Sequence, residues 1–228
     1  CGAGASGRNG GCLLTWSAKF LTLRRLFGEA EALRLVRASE AAVDAIGDFV
    51  RQHGIDAEYR RDGTLYTATA KAHFGAMEPV VQALQAQGVD SWHALAPAEV
   101  ARRSGSARNI AGWYSPLAAT VQPGKLVRGL RRVALAMGIR IFERSPMLRH
   151  EAGPPATVHT PCGSVTAHKL VFALNAWMAE AFPQFERSIA IVSSDMVITE
   201  RCPELLQAAG LADGVSVLDS RTFVHYYR

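Results

Sequence analysis

Residues 2–11 read Gly-Ala-Gly-Ala-Ser-Gly-Arg-Asn-Gly-Gly: five glycines, two alanines and no large apolar side chain. Such a stretch cannot be core. Backbone without Cβ atoms can turn sharply or approach another group closely. Successive N–H groups in such a loop form a concavity that favours anions. Arg8 adds a planar cationic fork, and Asn9 adds a donor and an acceptor. The stretch is therefore either a loop laid against a phosphate-bearing or planar cofactor, or a flexible leader. Gly2, Gly4 and Gly7 spell Gly-x-Gly-x-x-Gly. Only Cys1 precedes them, however, and Arg8-Asn9-Gly10-Gly11 is a poor helix start. The strand and helix that a dinucleotide fingerprint requires are not written around it.

Elsewhere the composition is that of a globular protein, with 228 residues, 49% hydrophobic and 20% charged. That length suits one large domain or two smaller ones. The net charge of +5 comes from scattered pairs such as Arg24-Arg25, Arg60-Arg61, Arg102-Arg103 and Arg131-Arg132. Scattered pairs imply solvated faces rather than a nucleic-acid patch. Cys1, Cys12, Cys162 and Cys202 have neither C-x-x-C spacing nor a histidine pair to complete a zinc site. They read as reduced thiols of a cytoplasmic protein, and no metal centre is expected. No apolar run reaches the ~18 residues a membrane span needs.

Along the chain, periodicity predicts a short helical turn within 13–27. A helix follows from Gly28 to His53 with Leu35, Ala38, Ala42, Ile46 and Phe49 on its apolar face. Asp62-Gly63 predicts a hairpin across 59–69. Residues 72–87 read as a helix that Pro79 kinks or starts late, and Pro97 opens another short helix. A strand is expected over 110–114, a helix from Pro123 to Gly138, and a strand over 139–143 as half of a parallel crossover. A hairpin over 158–167 precedes Lys169–Leu174, an apolar run that suits a strand buried on both faces. Residues 188–199 and 215–227 read as β-rich, with a short helix over 204–209.

Two later stretches carry chemistry. Asn175-Ala176-Trp177 stands where the apolar run ends and a helix begins, a place where parallel sheets bind ligands and helix N–H groups meet anions. An ordinary strand-to-helix turn is the alternative. In Phe223–Arg228 a period of two puts Phe223, His225 and Tyr227 on one face, with Val224, Tyr226 and Arg228 on the other. Such a strand could hold a carboxylate or amine, or could simply pack its aromatics. The other histidines have no partners at useful spacing.

Gly4-Ala5-Ser6-Gly7-Arg8-Asn9-Gly10-Gly11 resembles the flavin-contacting loop of the FAD-dependent D-amino-acid oxidase, glycine oxidase and sarcosine oxidase superfamily, in its gamma-glutamylputrescine-oxidase-like branch. The resemblance runs through nearly the whole chain. It implies an α/β (mixed α+β) fold, with a FAD-binding Rossmann-like domain over 1–54 and 117–182. A discontinuous antiparallel-sheet substrate domain would cover 55–116 and 183–228. It also implies truncation at both ends, the glycine fingerprint lying upstream of Cys1. Ala5 to Gly11 would contact the cofactor. Ala173-Leu174-Asn175 matches the family's Ala-x-Asn form, so Asn175, Ala176 and Trp177 would meet the diphosphate, and Met147 the adenine. His225 and Tyr227 would face the substrate. Cys12 departs from the family, whose members often have Gln there.

The implied chemistry is oxidation of the C–N bond of an amine or amino acid. A hydride passes to flavin N5, the imine hydrolyses, and oxygen or another acceptor takes the electrons. No catalytic side chain is singled out, because the cofactor does the hard step. The alternatives are a basic binding module and an inactive remnant. The 228-residue chain alone is expected to bind FAD poorly or not at all.

Overall fold

In the computed structural model, described for every residue except 212, 222 and 223, the chain divides into two units. One comprises Cys1–Met137 with Ile198–Arg228, and the other Gly138–Val197.

The first unit begins with a 3-10 turn, Ala5–Gly7, then β1 (Cys12–Leu13), a 3-10 turn at Ser17–Lys19, α1 (Phe20–Phe27) and α2 (Glu29–Gln52). β2 (Thr64–Ala68), α3 (Glu78–Gln85), β3 (His93–Leu95), α4 (Pro97–Ser104), β4 (Ala111–Ser115), β5 (Ala119–Thr120) and α5 (Pro123–Ala136) follow. The second unit holds β6 (Arg149–Glu151), β7 (Ala156–Thr160), β8 (Gly163–Ala167) and α6 (Met178–Ala181). The chain then returns to the first unit with α7 (Pro203–Ala208), β9 (Ser216–Asp219) and β10 (Tyr226–Tyr227).

A five-stranded sheet in the order β10-β9-β2-β4-β3 organises the first unit. β2 pairs parallel with β9 and antiparallel with β4, and the remaining pairs are antiparallel. β1 and β5 form a separate antiparallel pair. The main core joins Phe20 and Leu23 of α1, Ala32 and Val36 of α2, and Val80, Val81 and Leu84 of α3 around Trp92. Each large side chain removed from water there contributes about 1.5–3 kcal/mol. Trp92 keeps its polar handle satisfied by donating Nε1–H to Ser17 Oγ at 2.9 Å. A smaller cluster joins Val50, Ile55, Ala57 and Val133, and Leu65, Val215 and Val217 fill the sheet's inner face.

In the second unit β6, β7 and β8 form an antiparallel sheet. His150 packs against Phe172 and Phe182, with ring centroids 5.0 and 5.4 Å away.

Several expectations are corrected. α2 buries Ala32, Val36, Val43, Gly47 and Val50, not the predicted face. The helix has two apolar stripes; the buried one packs Ala32 and Val36 into the main core, sets Gly47 against the Tyr59 ring and joins Val50 to Ile55 and Ala57. Residues 59–69 form no hairpin: β2 takes β4 and β9 as partners, and Arg60 instead bridges to Thr120. Residues 139–143, 169–174 and 188–199 are not strands, and Val171 is 90% exposed. A strand needs a neighbour for its N–H and C=O groups, and among the described residues none pairs with these segments. Pro79 marks a late helix start, β4, α5, α6 and α7 lie within two residues of expectation, and α4 starts at Pro97 as expected but runs on to Ser104. The mixed α/β class is as expected.

Candidate functional site

The glycine loop is folded, not free. Gly7 N donates to Gly4 O at 3.1 Å and Arg8 N to Ala5 O at 3.2 Å. Asn9 braces the turn from within: its Nδ2 donates to Ala5 O (2.9 Å) and Ser6 O (3.2 Å), while its Oδ1 accepts Gly11 N–H at 2.9 Å. The side chain of Asn9 is thus spent on the loop itself. Val121 N donates to Gly11 O at 2.8 Å, anchoring the loop to the segment after β5. A Cβ on Gly2 would lie 3.2 Å from Val127 Cγ1, so the loop rests on the first turns of α5, the positive end of that helix's dipole.

The C-terminal strand closes over the loop. A Cβ on Gly10 would stand 2.5 Å from the Tyr226 ring, and one on Gly11 would overlap Val121 O and come 3.2 Å from the Arg228 guanidinium. Arg228 donates to Val121 O at 2.8 Å. Tyr226 and Arg228, two apart on a strand, share the face that meets the loop. The resemblance had assigned these two no role, and their alternation with Tyr227 groups them on one face without saying what that face meets. Beside them Cys12 directs Sγ at Gly10 O, 3.8 Å away. Burial pushes its thiol pKa up, opposed by the Arg228 charge and a hydrogen bond with Ser216.

Tyr227 faces the other way. Its hydroxyl accepts from Asn109 Nδ2 at 2.9 Å and donates to Ser104 O at 2.8 Å, and burial raises the phenol's pKa. Thr67 Oγ1 shares its proton between Asn109 Oδ1 (2.9 Å) and Leu218 O (3.2 Å). His225, by contrast, is exposed beside the buried Asp219. Phe223 lies outside the described residues.

In the second unit, half-buried Met147 precedes β6. Asn175, with φ +54°, occupies the left-handed region that asparagine tolerates, and its Oδ1 accepts Ala176 N–H at 2.8 Å. Asn175–Trp177 form a 3-10 turn in which Trp177 is 60% exposed. The histidines expected to lack partners are not all alone: His159 Nε2 lies 3.0 Å from Glu151 Oε1. His73 Nδ1 and Ser220 Oγ are buried without hydrogen-bond partners among the described residues, and both residues line one small cavity of about 30 Å³.

What remains outward on the loop fits an anion. Ser6 and Arg8 are exposed, and Arg8 makes no ion pair among the described residues. The N–H groups of Asn9 and Gly10 donate to no protein acceptor there. Next to the loop, an apolar groove of about 440 Å³ runs from Cys12 and Leu13 along Leu35, Ala42 and Ile46 of α2. Among the described residues no His, Cys, Asp or Glu cluster is placed to hold a metal ion, and no helix is long and apolar enough to cross a membrane.

The chain is thus a mixed α/β protein whose glycine loop is hydrogen-bonded into place and leaves Ser6 and Arg8 exposed. The DAO family model, FAD dependent oxidoreductase, matches residues 1–228, and the chain belongs to that family. It is similar over all its length to the gamma-glutamylputrescine oxidoreductase of Escherichia coli (strain K12), at 25% identity over 229 residues, which are 54% of that protein. In structure it resembles glycine oxidase from Geobacillus kaustophilus, with a TM-score of 0.61 and 20% identity over 78% of this chain and 47% of that one. L-proline dehydrogenase from P. horikoshii gives a TM-score of 0.59 and 14% identity over 81% of this chain and 50% of that one. The chain spans about half the length of the curated relatives it matches.

Proposed function

We propose that this chain forms part of a FAD-dependent oxidoreductase that oxidises the C–N bond of an amine or amino acid. The observation that carries this reading is the loop's division of labour. Asn9 and the packing on Tyr226 and Val121 hold its shape, which leaves Ser6 and Arg8 exposed and the N–H groups of Asn9 and Gly10 without a protein acceptor among the described residues. Ser6 and Arg8 with those N–H groups would hold the cofactor's anionic part, as a preformed concavity of donors does. By resemblance, Asn175, Ala176 and Trp177 would meet the cofactor's diphosphate and Met147 its adenine.

When bound, FAD supplies a two-electron acceptor for the hydrogen on the carbon that bears the amine. Tyr226 and Arg228 would close the site over the loop. His225 would meet the substrate, and Tyr227 would support it from behind through Asn109. The proposed division is a cofactor domain over 1–54 and 117–182 and a substrate domain over 55–116 and 183–228. Imine hydrolysis, delivery of electrons to oxygen or another acceptor, and a cytoplasmic setting complete the reading.

The similarity to an amine oxidoreductase and to glycine oxidase supports the substrate class. A basic nucleic-acid module is disfavoured because many arginines are neutralised locally, Arg34 by Glu31, Arg102 by Glu99 and Arg103 by Asp213. A remnant that needs a complementary chain is favoured by one observation, the exposure of Val192, Val197 and Ile198.

Titration with FAD, followed by flavin fluorescence, tests the reading. It is done on the chain alone and on the chain expressed with its flanking coding sequence, each with and without Arg8→Ala. Weak or no binding by the chain alone, tight binding by the longer form and a loss of at least tenfold on Arg8→Ala in that form support it. Absence of flavin binding by the longer form overturns it.

A further inference from the structure

The turn between β9 and β10 is tied to one carboxylate. Asp219 is only 6% exposed. Its Oδ1 accepts the backbone N–H groups of Arg221 at 3.2 Å and His225 at 3.1 Å. Its Oδ2 stands 3.1 Å from His225 Nδ1 and 3.2 Å from Arg221 Nε. Arg221 Nε also reaches Thr69 Oγ1, at 3.1 Å.

A carboxylate offers only lone pairs, so the nitrogen facing it must bring the proton. Arg221 also approaches His225 Nδ1, at 3.4 Å. Were that contact the hydrogen bond, the lone pairs of Nδ1 and Oδ2 would face each other at 3.1 Å. The shorter contact to the buried carboxylate therefore sets the tautomer, with the proton on Nδ1 and the lone pair on Nε2. The His225 side chain is 66% exposed, and Nε2 has no partner among the described residues. Asp219 and Arg221 cancel in charge, so a cation arriving at the ring meets a neutral acceptor.

We propose that Asp219 is a positioning residue: it fixes His225 with Nδ1 protonated and Arg221 at its side, leaving Nε2 as the hydrogen-bond acceptor for the protonated amine of a substrate. The amine part rests on the function proposed above; the tautomer does not.

Long-range ¹H–¹⁵N NMR of the flavin-free chain, labelled at histidine, reads the tautomer directly. The measurement is made at mildly alkaline pH, and His225→Gln assigns the signal. The expected result is Nδ1 as the protonated nitrogen. In Asp219→Asn the remaining carbonyl oxygen can still accept both backbone N–H groups, while the new amide N–H donates to Nδ1. The tautomer is then expected to reverse, with the amide spectrum still dispersed. A wild-type ring protonated at Nε2 overturns the proposal without any variant, and so does a folded Asp219→Asn whose tautomer is unchanged. Methylammonium chloride is the probe for amine capture, expected to shift the Nε2 resonance in the wild type and not in Asp219→Asn. No shift in a wild type that has the expected tautomer overturns amine capture alone and leaves the positioning role standing.

Discussion

Gly10 and the Tyr226 ring are in direct contact across the N-terminal loop and the C-terminal strand, so close that a Cβ on Gly10 would lie 2.5 Å from Tyr226 Cε2. The loop at one end of the sequence is therefore shaped by a side chain near the other. This contact explains why position 10 is glycine without reference to a ligand. It also makes Tyr226 the residue whose removal would let the loop move.

Gly10→Ala forces the ring or the loop to shift. Overpacking of this kind costs typically 1–3 kcal/mol, read as a lowered midpoint in urea unfolding followed by tryptophan fluorescence. Because the clash has a single main partner, Gly10→Ala with Tyr226→Ala should cost less than the sum of the two changes, the mark of residues in contact. Strict additivity would mean that the ring does not set the loop's shape.

Ser17 and Trp92 are both almost fully buried, and the indole N–H has the Ser17 hydroxyl as its acceptor. Ser17→Ala keeps the volume nearly unchanged but strands a buried donor. The expected cost is about 1–3 kcal/mol, measured by urea unfolding. Ser17→Thr, which keeps the hydroxyl, should lose less if the added methyl is accommodated.

Burial raises the Cys12 thiol above its ordinary value of 9.0, with the Arg228 charge pulling the other way. The folded state therefore holds the proton more tightly than the unfolded chain does. The thiol's contribution to stability is whole below about pH 9 and is lost as pH climbs through the raised value. Iodoacetamide should alkylate the exposed Cys1 and Cys162 well before Cys12 at neutral pH. Arg228→Gln should slow Cys12 further, as long as the strand stays in place. Cys12 reacting as fast as Cys162 would contradict the burial argument.

The sequence showed those features whose causes are local. The start of α4 at Pro97 and of α5 at Pro123 is a matter of fixed φ and a missing N–H, and both helices begin where expected. Likewise the glycine density of residues 2–11 announced close approach, and the loop does approach its neighbours closely. Partner choice was not legible. Leu65 to Ala68 is β-prone in isolation, but nothing near it says that β9, some 150 residues on, will be its parallel neighbour. The apolar run Lys169–Leu174 has strand composition yet lacks a pairing partner among the described residues. At the site, Asn9 was read as a ligand contact, and the sequence did not show that its side chain also braces the loop from within. Tyr226 and Arg228 were passed over because alternation alone cannot say which face of a strand meets the loop.

Tyr227 provides a test that separates packing from substrate contact. Its hydroxyl is already saturated: Asn109 donates to it and Ser104 O receives from it. Asn109 in turn is joined to Thr67, so the phenol ends a chain of hydrogen-bonded polar groups. Tyr227→Phe keeps the ring but leaves the Asn109 amide and the Ser104 carbonyl each short of a partner. A loss of about 1–3 kcal/mol in unfolding free energy is expected. Asn109→Leu should cost a similar amount, and the two together less than their sum, since each disables the same hydrogen bond. If the flavin-loaded protein turns over an amine, Tyr227→Phe should leave KM within about twofold once stability is allowed for, because a hydroxyl committed on both sides has nothing to offer a substrate. A large rise in KM with unchanged stability would put Tyr227 in contact with substrate and would mean that its bonds to Asn109 and Ser104 open when the site is filled.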